Sequence, residues 1–104
     1  MLRYEIHSYK EFGCLAGDIE QGMIRIILIN NGKEAVDVFF PIDAISYVSN
    51  YSNNVSIVLK SQKKATFDYL PTDKSTSDSL LFELRKALAL NSKIAITIYA
   101  ETTL

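Results

Sequence analysis

Residues Met23 to Phe40 carry the clearest hydrophobic pattern in the chain. Met23-Ile24-Arg25-Ile26-Ile27-Leu28-Ile29-Asn30 is followed by Asn31-Gly32 and then by Lys33-Glu34-Ala35-Val36-Asp37-Val38-Phe39-Phe40. Two apolar runs around an Asn-Gly pair predict a β-hairpin closed by a type I′ turn, because both central residues of that turn need positive φ. Counting outward from the turn sets Asn30 opposite Lys33, Ile27 opposite Val36 and Met23 opposite Phe40. Opposed residues share a face. One face then carries Met23, Ile27, Ile29, Val36, Val38 and Phe40, interrupted by Arg25. The other carries Ile24, Ile26, Leu28, Ala35 and Phe39, with Asp37 opposite Ile26. In this register Arg25 and Asp37 lie on opposite faces, so Asp37 needs a cation from the helix or an adjoining chain, since an unpaired buried charge is too costly. A half-buried antiparallel strand alternates apolar with polar residues. The first strand does not, so both of its faces require cover: the core of the chain on one, and the helix or a second copy of the molecule on the other.

The pattern on either side completes a meander. Leu2, Tyr4 and Ile6 alternate in a first strand over Met1–His7. Tyr9–Glu20 reads equally as a helix, from the spacing of Phe12, Leu15, Ala16 and Ile19, or as a bulged strand or loop, since Gly13 and Gly17 weaken a helix. Pro41 ends the hairpin for want of an N–H. Strands follow at Ile45–Ser49, Val55–Lys60 and Lys64–Leu70, separated by the turns Tyr51-Ser52-Asn53-Asn54 and Ser61-Gln62-Lys63. Beyond Pro71-Thr72-Asp73-Lys74, a helix capped by Ser75, Thr76 or Ser77 runs to about Leu90, with Leu80, Leu81, Leu84, Ala87 and Leu88 in one apolar stripe. Phe82 falls off that stripe. Lys93–Tyr99 closes the chain as a last strand, with Ile94, Ile96 and Ile98 inward. The fold class is α+β: a curled antiparallel β-meander of about six to seven strands, a roll or small open barrel, with one amphipathic helix in the C-terminal half before the final strand.

Composition narrows the partners. The 104 residues make one domain, 1–104. Hydrophobic residues at 48% and charged residues at 22% are ordinary for a globular protein, and a net charge of −1 offers no basic excess to a polyanion. The one local cluster of cations, Lys60, Lys63 and Lys64, sits in a turn. Cys14 is the single cysteine, so no internal disulfide forms, and a reducing, cytoplasmic setting is expected. Neither a signal peptide nor an apolar run of the roughly 18 residues that span a bilayer is present, so no membrane association is expected.

Candidate chemistry is sparse. One histidine, His7, and one cysteine cannot build a Cys/His zinc site within one chain. His7 and Cys14 form a conceivable nucleophile–base pair, but Cys14 lies in the apolar stretch Phe12–Ala16 and reads as structural. Asp18 and Glu20 flank Ile19 without a calcium-loop pattern. Tyr47, Tyr51, Tyr69 and Tyr99 are candidate stacking platforms for single-stranded nucleic acid, but Tyr47 and Tyr51 are flanked by Ser and Asn rather than by cations. The expectation is a non-enzymatic protein without cofactor or metal.

Pro41 to Leu88 reads Pro-Ile-x-x-Ile-x-Tyr-Val, a turn, Val-x-Ile-x-Leu, a lysine turn, Phe-x-Tyr-Leu and a leucine-rich helix. This is loosely similar to the middle of LytTR-type DNA-binding domains, over less than half of the chain. Those domains continue into a basic, aromatic recognition segment; here the chain continues as Lys93-Ile94-Ala95-Ile96-Thr97-Ile98-Tyr99-Ala100-Glu101. Two functions of different class follow. The first is an interaction or assembly module that binds itself or another protein through the second hairpin face, Ile24, Ile26, Leu28 and Phe39, with Phe82. The alternative is nucleic-acid binding through Lys60, Lys63 and Lys64.

Overall fold

The computed structural model describes residues 1–8, 22–90 and 94–101. The expectation of a helix or bulged strand over Tyr9–Glu20, and with it Cys14, Asp18 and Glu20, lies outside the described residues. Seven strands are described: β1 (Leu2–Ser8), β2 (Met23–Asn30), β3 (Lys33–Pro41), β4 (Ile45–Tyr51), β5 (Asn54–Leu59), β6 (Lys64–Asp68) and β7 (Ile94–Glu101). Helix α1 (Lys74–Leu90) precedes β7. The strands form a four-stranded sheet in the order β1-β7-β2-β3 and a three-stranded sheet β4-β5-β6. This is the expected α+β class with an open, curled meander and a last strand after the helix.

The hairpin turn is as the Asn-Gly pair predicts: Asn31 and Gly32 have φ of 52° and 77°. The register beyond it differs from the simple count. Asn30 opposes Lys33 and Ile29 opposes Glu34, but Leu28 then opposes Val36. Ala35 is thus an extra residue, a β-bulge. Ile27 faces Asp37 rather than Val36, and Met23 faces Pro41 rather than Phe40. Val36, Val38 and Phe40 therefore join Ile24, Ile26 and Leu28 on the inner face, while Asp37 and Phe39 join Arg25 and Ile27 on the outer one. The physical reason lies at Asp37. A regular ladder would aim its carboxylate into the core beside Ile26, where an uncompensated charge is costly; the bulge turns it outward.

β7 also departs from a pure meander. It inserts between β1 and β2, antiparallel to the first and parallel to the second. It is also buried on both faces, at Ala95 and Thr97 as well as at Ile96 and Ile98.

One core joins the two sheets to the helix. Ile24, Ile26, Ile96 and Ile98 of the larger sheet meet Val55, Ile57 and Phe67 of the smaller one and Leu80, Leu81, Leu84 and Ala87 of the helix. The apolar stripe of α1 thus faces inward as its spacing predicts. The three hydroxyl residues expected to cap the helix fall inside it; a 3-10 turn, Pro71–Asp73, leads into it, and the Asp73 carboxylate accepts the Leu70 N–H at 3.2 Å at the start of that turn. Ser77 is fully buried, and its hydroxyl has no partner among the described residues. Tyr69, also buried, donates to Asn50 Oδ1 and the Ser52 carbonyl, both at 3.0 Å, which holds the β4–β5 turn against the end of β6.

Candidate functional site

The residues expected to make an association face do not share one. Ile24 and Ile26 are 0% and 1% exposed, inside the core, and Leu28 packs against that core from the same side. A charge placed at Ile26 would be buried unpaired, not displayed at an interface. Phe39 lies on the opposite face of the hairpin. Phe82 is exposed on the solvent side of α1, with Lys86 Nζ 5.3 Å above its ring. The bulge accounts for the separation of Phe39: it exchanges the partners of Ile26 and Leu28 from Asp37 and Ala35 to Val38 and Val36.

The same bulge builds a different surface. β3 is an edge of the larger sheet and β6 an edge of the smaller one. Between them lies an apolar groove of about 270 Å³, walled on one side by Leu28, Val36 and Val38 over Ile26, and on the other by Ala65 and Phe67 with Lys64 and Thr66 at the rim. Val36 and Val38 are 43% and 38% exposed. On the outer face of β3, Arg25 Nε donates to Asp37 Oδ1 at 3.0 Å and a second guanidinium nitrogen donates to Oδ2. The expectation that these two residues cannot pair within the hairpin is therefore overturned, because the bulge makes them diagonal neighbours across the strands. The hydrogen bond from Arg25 lowers the Asp37 pKa from the usual carboxylate value, and the same bond raises that of Arg25.

A second, shallow concavity of about 490 Å³ lies on the outer face of the smaller sheet, lined by Tyr51, Asn54, Ser56, Lys64, Thr66 and Asp68 among others. Its polar groups bond to one another: Asn54 Nδ2 donates to Asp68 Oδ1 at 2.9 Å, and the Ser56 and Thr66 hydroxyls are 3.0 Å apart. Of the candidate nucleic-acid cations, Lys64 lines this concavity, as does Tyr51, whereas Lys60 and Lys63 lie on the β5–β6 turn. Tyr47 and Tyr51 are exposed, Tyr69 belongs to the core, and Tyr99 lies under the Arg3 guanidinium at 4.0 Å. His7 Nε2 is 3.2 Å from Glu5 Oε2. Among the described residues no three His, Cys, Asp or Glu side chains gather to hold a metal, and no helix is long and apolar enough to cross a membrane.

No protein-family model, curated protein or solved structure was found to match this chain. The segment after the helix, where LytTR-type domains place their recognition residues, is here the central strand β7, buried from Ala95 to Ile98.

The groove escaped the sequence reading because a regular register sends Val36 and Val38 to the wrong face. A signal for it was present. The regular register put Asp37 opposite Ile26, on a face that needed cover. That points to an inserted residue.

Proposed function

We propose that this chain is a small non-enzymatic protein-interaction or assembly module, and that it associates through the edge strand β3 and the groove beside it. The observation that carries the reading is the exposure of Val36 and Val38 on β3, which among the described residues is an edge of the larger sheet. Exposed edges with apolar side chains are templates for pairing with another chain, and proteins usually blunt them with charge, proline or bulges. β3 has such devices at its ends, the bulge at Ala35 and Pro41, and leaves Val36–Phe40 between them with one charge, Asp37, already neutralised by Arg25. The polar side chains of the described residues mostly answer one another in pairs, as in Lys74–Asp78 and Lys86–Glu83, rather than converging on a common point.

The test is the native mass of the protein purified gently from its own source, by light scattering or native mass spectrometry, for the wild type and for Val38→Lys. The expected result is a mass above 11.7 kDa for the wild type, and a folded species of that monomer mass for the variant. A wild type that stays at the monomer mass at every concentration, with no second component, overturns the reading. Nucleic-acid binding through Lys60, Lys63 and Lys64 is the weaker alternative, since Asp68 shares the face that holds Lys64 and Tyr51; it would appear as steeply salt-dependent retention on heparin.

A further inference from the structure

We infer that the outer face of the smaller sheet binds a neutral, linear oligosaccharide, stacked on Tyr47 and Tyr51. This goes beyond the edge-strand reading and does not depend on it. The register of β4, β5 and β6 sets Tyr47, Val58 and Lys64 in one row across that face, and Tyr51, Asn54 and Asp68 in another. Ser49, Ser56 and Thr66 form the row between them. The alternating residues Val55, Ile57 and Phe67 are buried on the inner side. Tyr47 and Tyr51 are 56% and 84% exposed. Two large rings standing in solvent on one face, about 13 Å apart along β4, form a patch and not scattered residues. The electron-rich face of an aromatic ring attracts polarised C–H groups, such as those on one face of a pyranose. The row between the rings carries hydroxyls where a core-forming face would carry aliphatic side chains. The concavity of about 490 Å³ extends over Ser56 from Tyr51 to Lys64 and Thr66.

The polar groups are arranged to meet sugar hydroxyls. Thr66 Oγ1 lies 3.0 Å from Ser56 Oγ, Ser56 Oγ donates to Asn54 Oδ1 at 3.3 Å, and Asn54 Nδ2 donates to Asp68 Oδ1 at 2.9 Å. With its proton committed to Asn54, Ser56 accepts from Thr66, so the donors run one way along the chain and end on the Asp68 carboxylate. This chain fixes Asn54 and Asp68 side by side in the row of Tyr51. Capacity is left on both: among the described residues neither Asp68 Oδ2 nor the second amide N–H of Asn54 has a hydrogen-bond partner. A fixed acceptor next to a fixed donor matches two adjacent hydroxyls, one donating and one accepting. Charge completes the selection. Lys64 and Asp68 are the only ionised side chains in the three rows, and their charges cancel. A nucleic-acid strand also stacks on aromatic rings, but it requires a positively charged groove along its phosphates; here its path over Tyr51 meets a carboxylate. A protein partner requires an apolar centre to the contact, and the only aliphatic side chain in the three rows is half-buried Val58.

The probes are cellohexaose, maltohexaose and chitohexaose, neutral chains that differ in linkage and substituent. Each is titrated into the full chain and followed by ¹⁵N amide shifts. The expected result is saturable binding of at least one of them with Kd below about 1 mM, with shifts confined to β4, β5, β6 and their turns. Tyr51→Ala should weaken that binding on the order of tenfold and Tyr51→Phe by less than about twofold, because stacking needs the ring and not its hydroxyl. Asp68→Ala should weaken it on the order of tenfold through loss of the hydroxyl acceptor. Both side chains are exposed, so the variants should keep the amide spectrum of the core. An oligothymidylate serves as the anionic control and should give no saturable shifts at physiological salt. Failure of all three sugars to saturate, shifts centred outside the smaller sheet, or wild-type affinity in Tyr51→Ala would overturn the inference. Tighter binding of the oligothymidylate than of any sugar, lost in Tyr51→Ala, would overturn it as well and give the face to nucleic acid.

Discussion

Asp37 shows how one side chain decides a local structure. Its carboxylate is held by two hydrogen bonds from Arg25, and this lowers its pKa below the ordinary value of about 3.9. A carboxylate whose pKa is depressed by folding contributes stability above its unfolded pKa and loses it as pH falls through the folded one. Both side chains are partly exposed, so the pair is worth at most about 1 kcal/mol. Asp37→Asn should therefore be less stable than wild type near neutrality by up to that amount. The two denaturation midpoints should converge as pH falls through the depressed pKa of Asp37, where the wild-type carboxyl is protonated as well. A gap that persists unchanged in acid would mean that the amide acts through packing and not through charge. Arg25 and Asp37 are both legible in the sequence as an isolated cation and anion within an apolar hairpin. Their pairing was not, because the simple count set them on opposite faces.

The hairpin is the element on which the surface depends. Its turn follows from Asn31-Gly32 alone, since few other dipeptides adopt positive φ twice at low cost. Its faces follow from Ala35. The bulge has a counterintuitive consequence: removing Ala35 leaves Glu34 opposite Ile29 and Val36 opposite Leu28, the pairings already present. Deletion of Ala35 should be tolerated, with a change in stability within about 1 kcal/mol, a melting temperature near that of wild type and the amide spectrum of the core retained. Under a regular ladder the same deletion would turn every residue from Val36 onward to the other face and unfold the hairpin. Thermal melting of the deletion variant separates the two. Helix α1 was the more legible element, because Leu80, Leu81, Leu84 and Ala87 need only local spacing to define the inward stripe, and all four are buried.

At the scale of the whole molecule, β7 closes the structure. It joins β1 to β2, and Ile96, Ile98 and Ala100 belong to the shared core. Its pairings with β1 and β2 span most of the chain, so the larger sheet cannot form until β7 is present. A fragment ending at Leu90 should show no cooperative thermal transition by circular dichroism and should expose the faces that β7 covers. A fragment that melts cooperatively would show that the smaller sheet and helix stand alone. The central position of β7 was readable in part. Ile94-Ala95-Ile96-Thr97-Ile98-Tyr99-Ala100 is almost continuously apolar, as a strand buried on both faces requires, yet period-two reading credited only Ile94, Ile96 and Ile98.

Local chemistry alone determined the elements of this protein: the Asn-Gly turn, the meander of strands between polar turns, the leucine stripe of the helix and the strand that follows it. These depend on neighbours within a few residues, where backbone preference and hydrophobic period act directly. Tertiary structure decided which face of the hairpin lies inside, that Arg25 meets Asp37, that β7 runs between β1 and β2, and that β3 and β6 flank an open groove. Each of these depends on where a charge or an apolar face finds its partner across the molecule, and a single inserted residue, Ala35, is enough to exchange one face for the other.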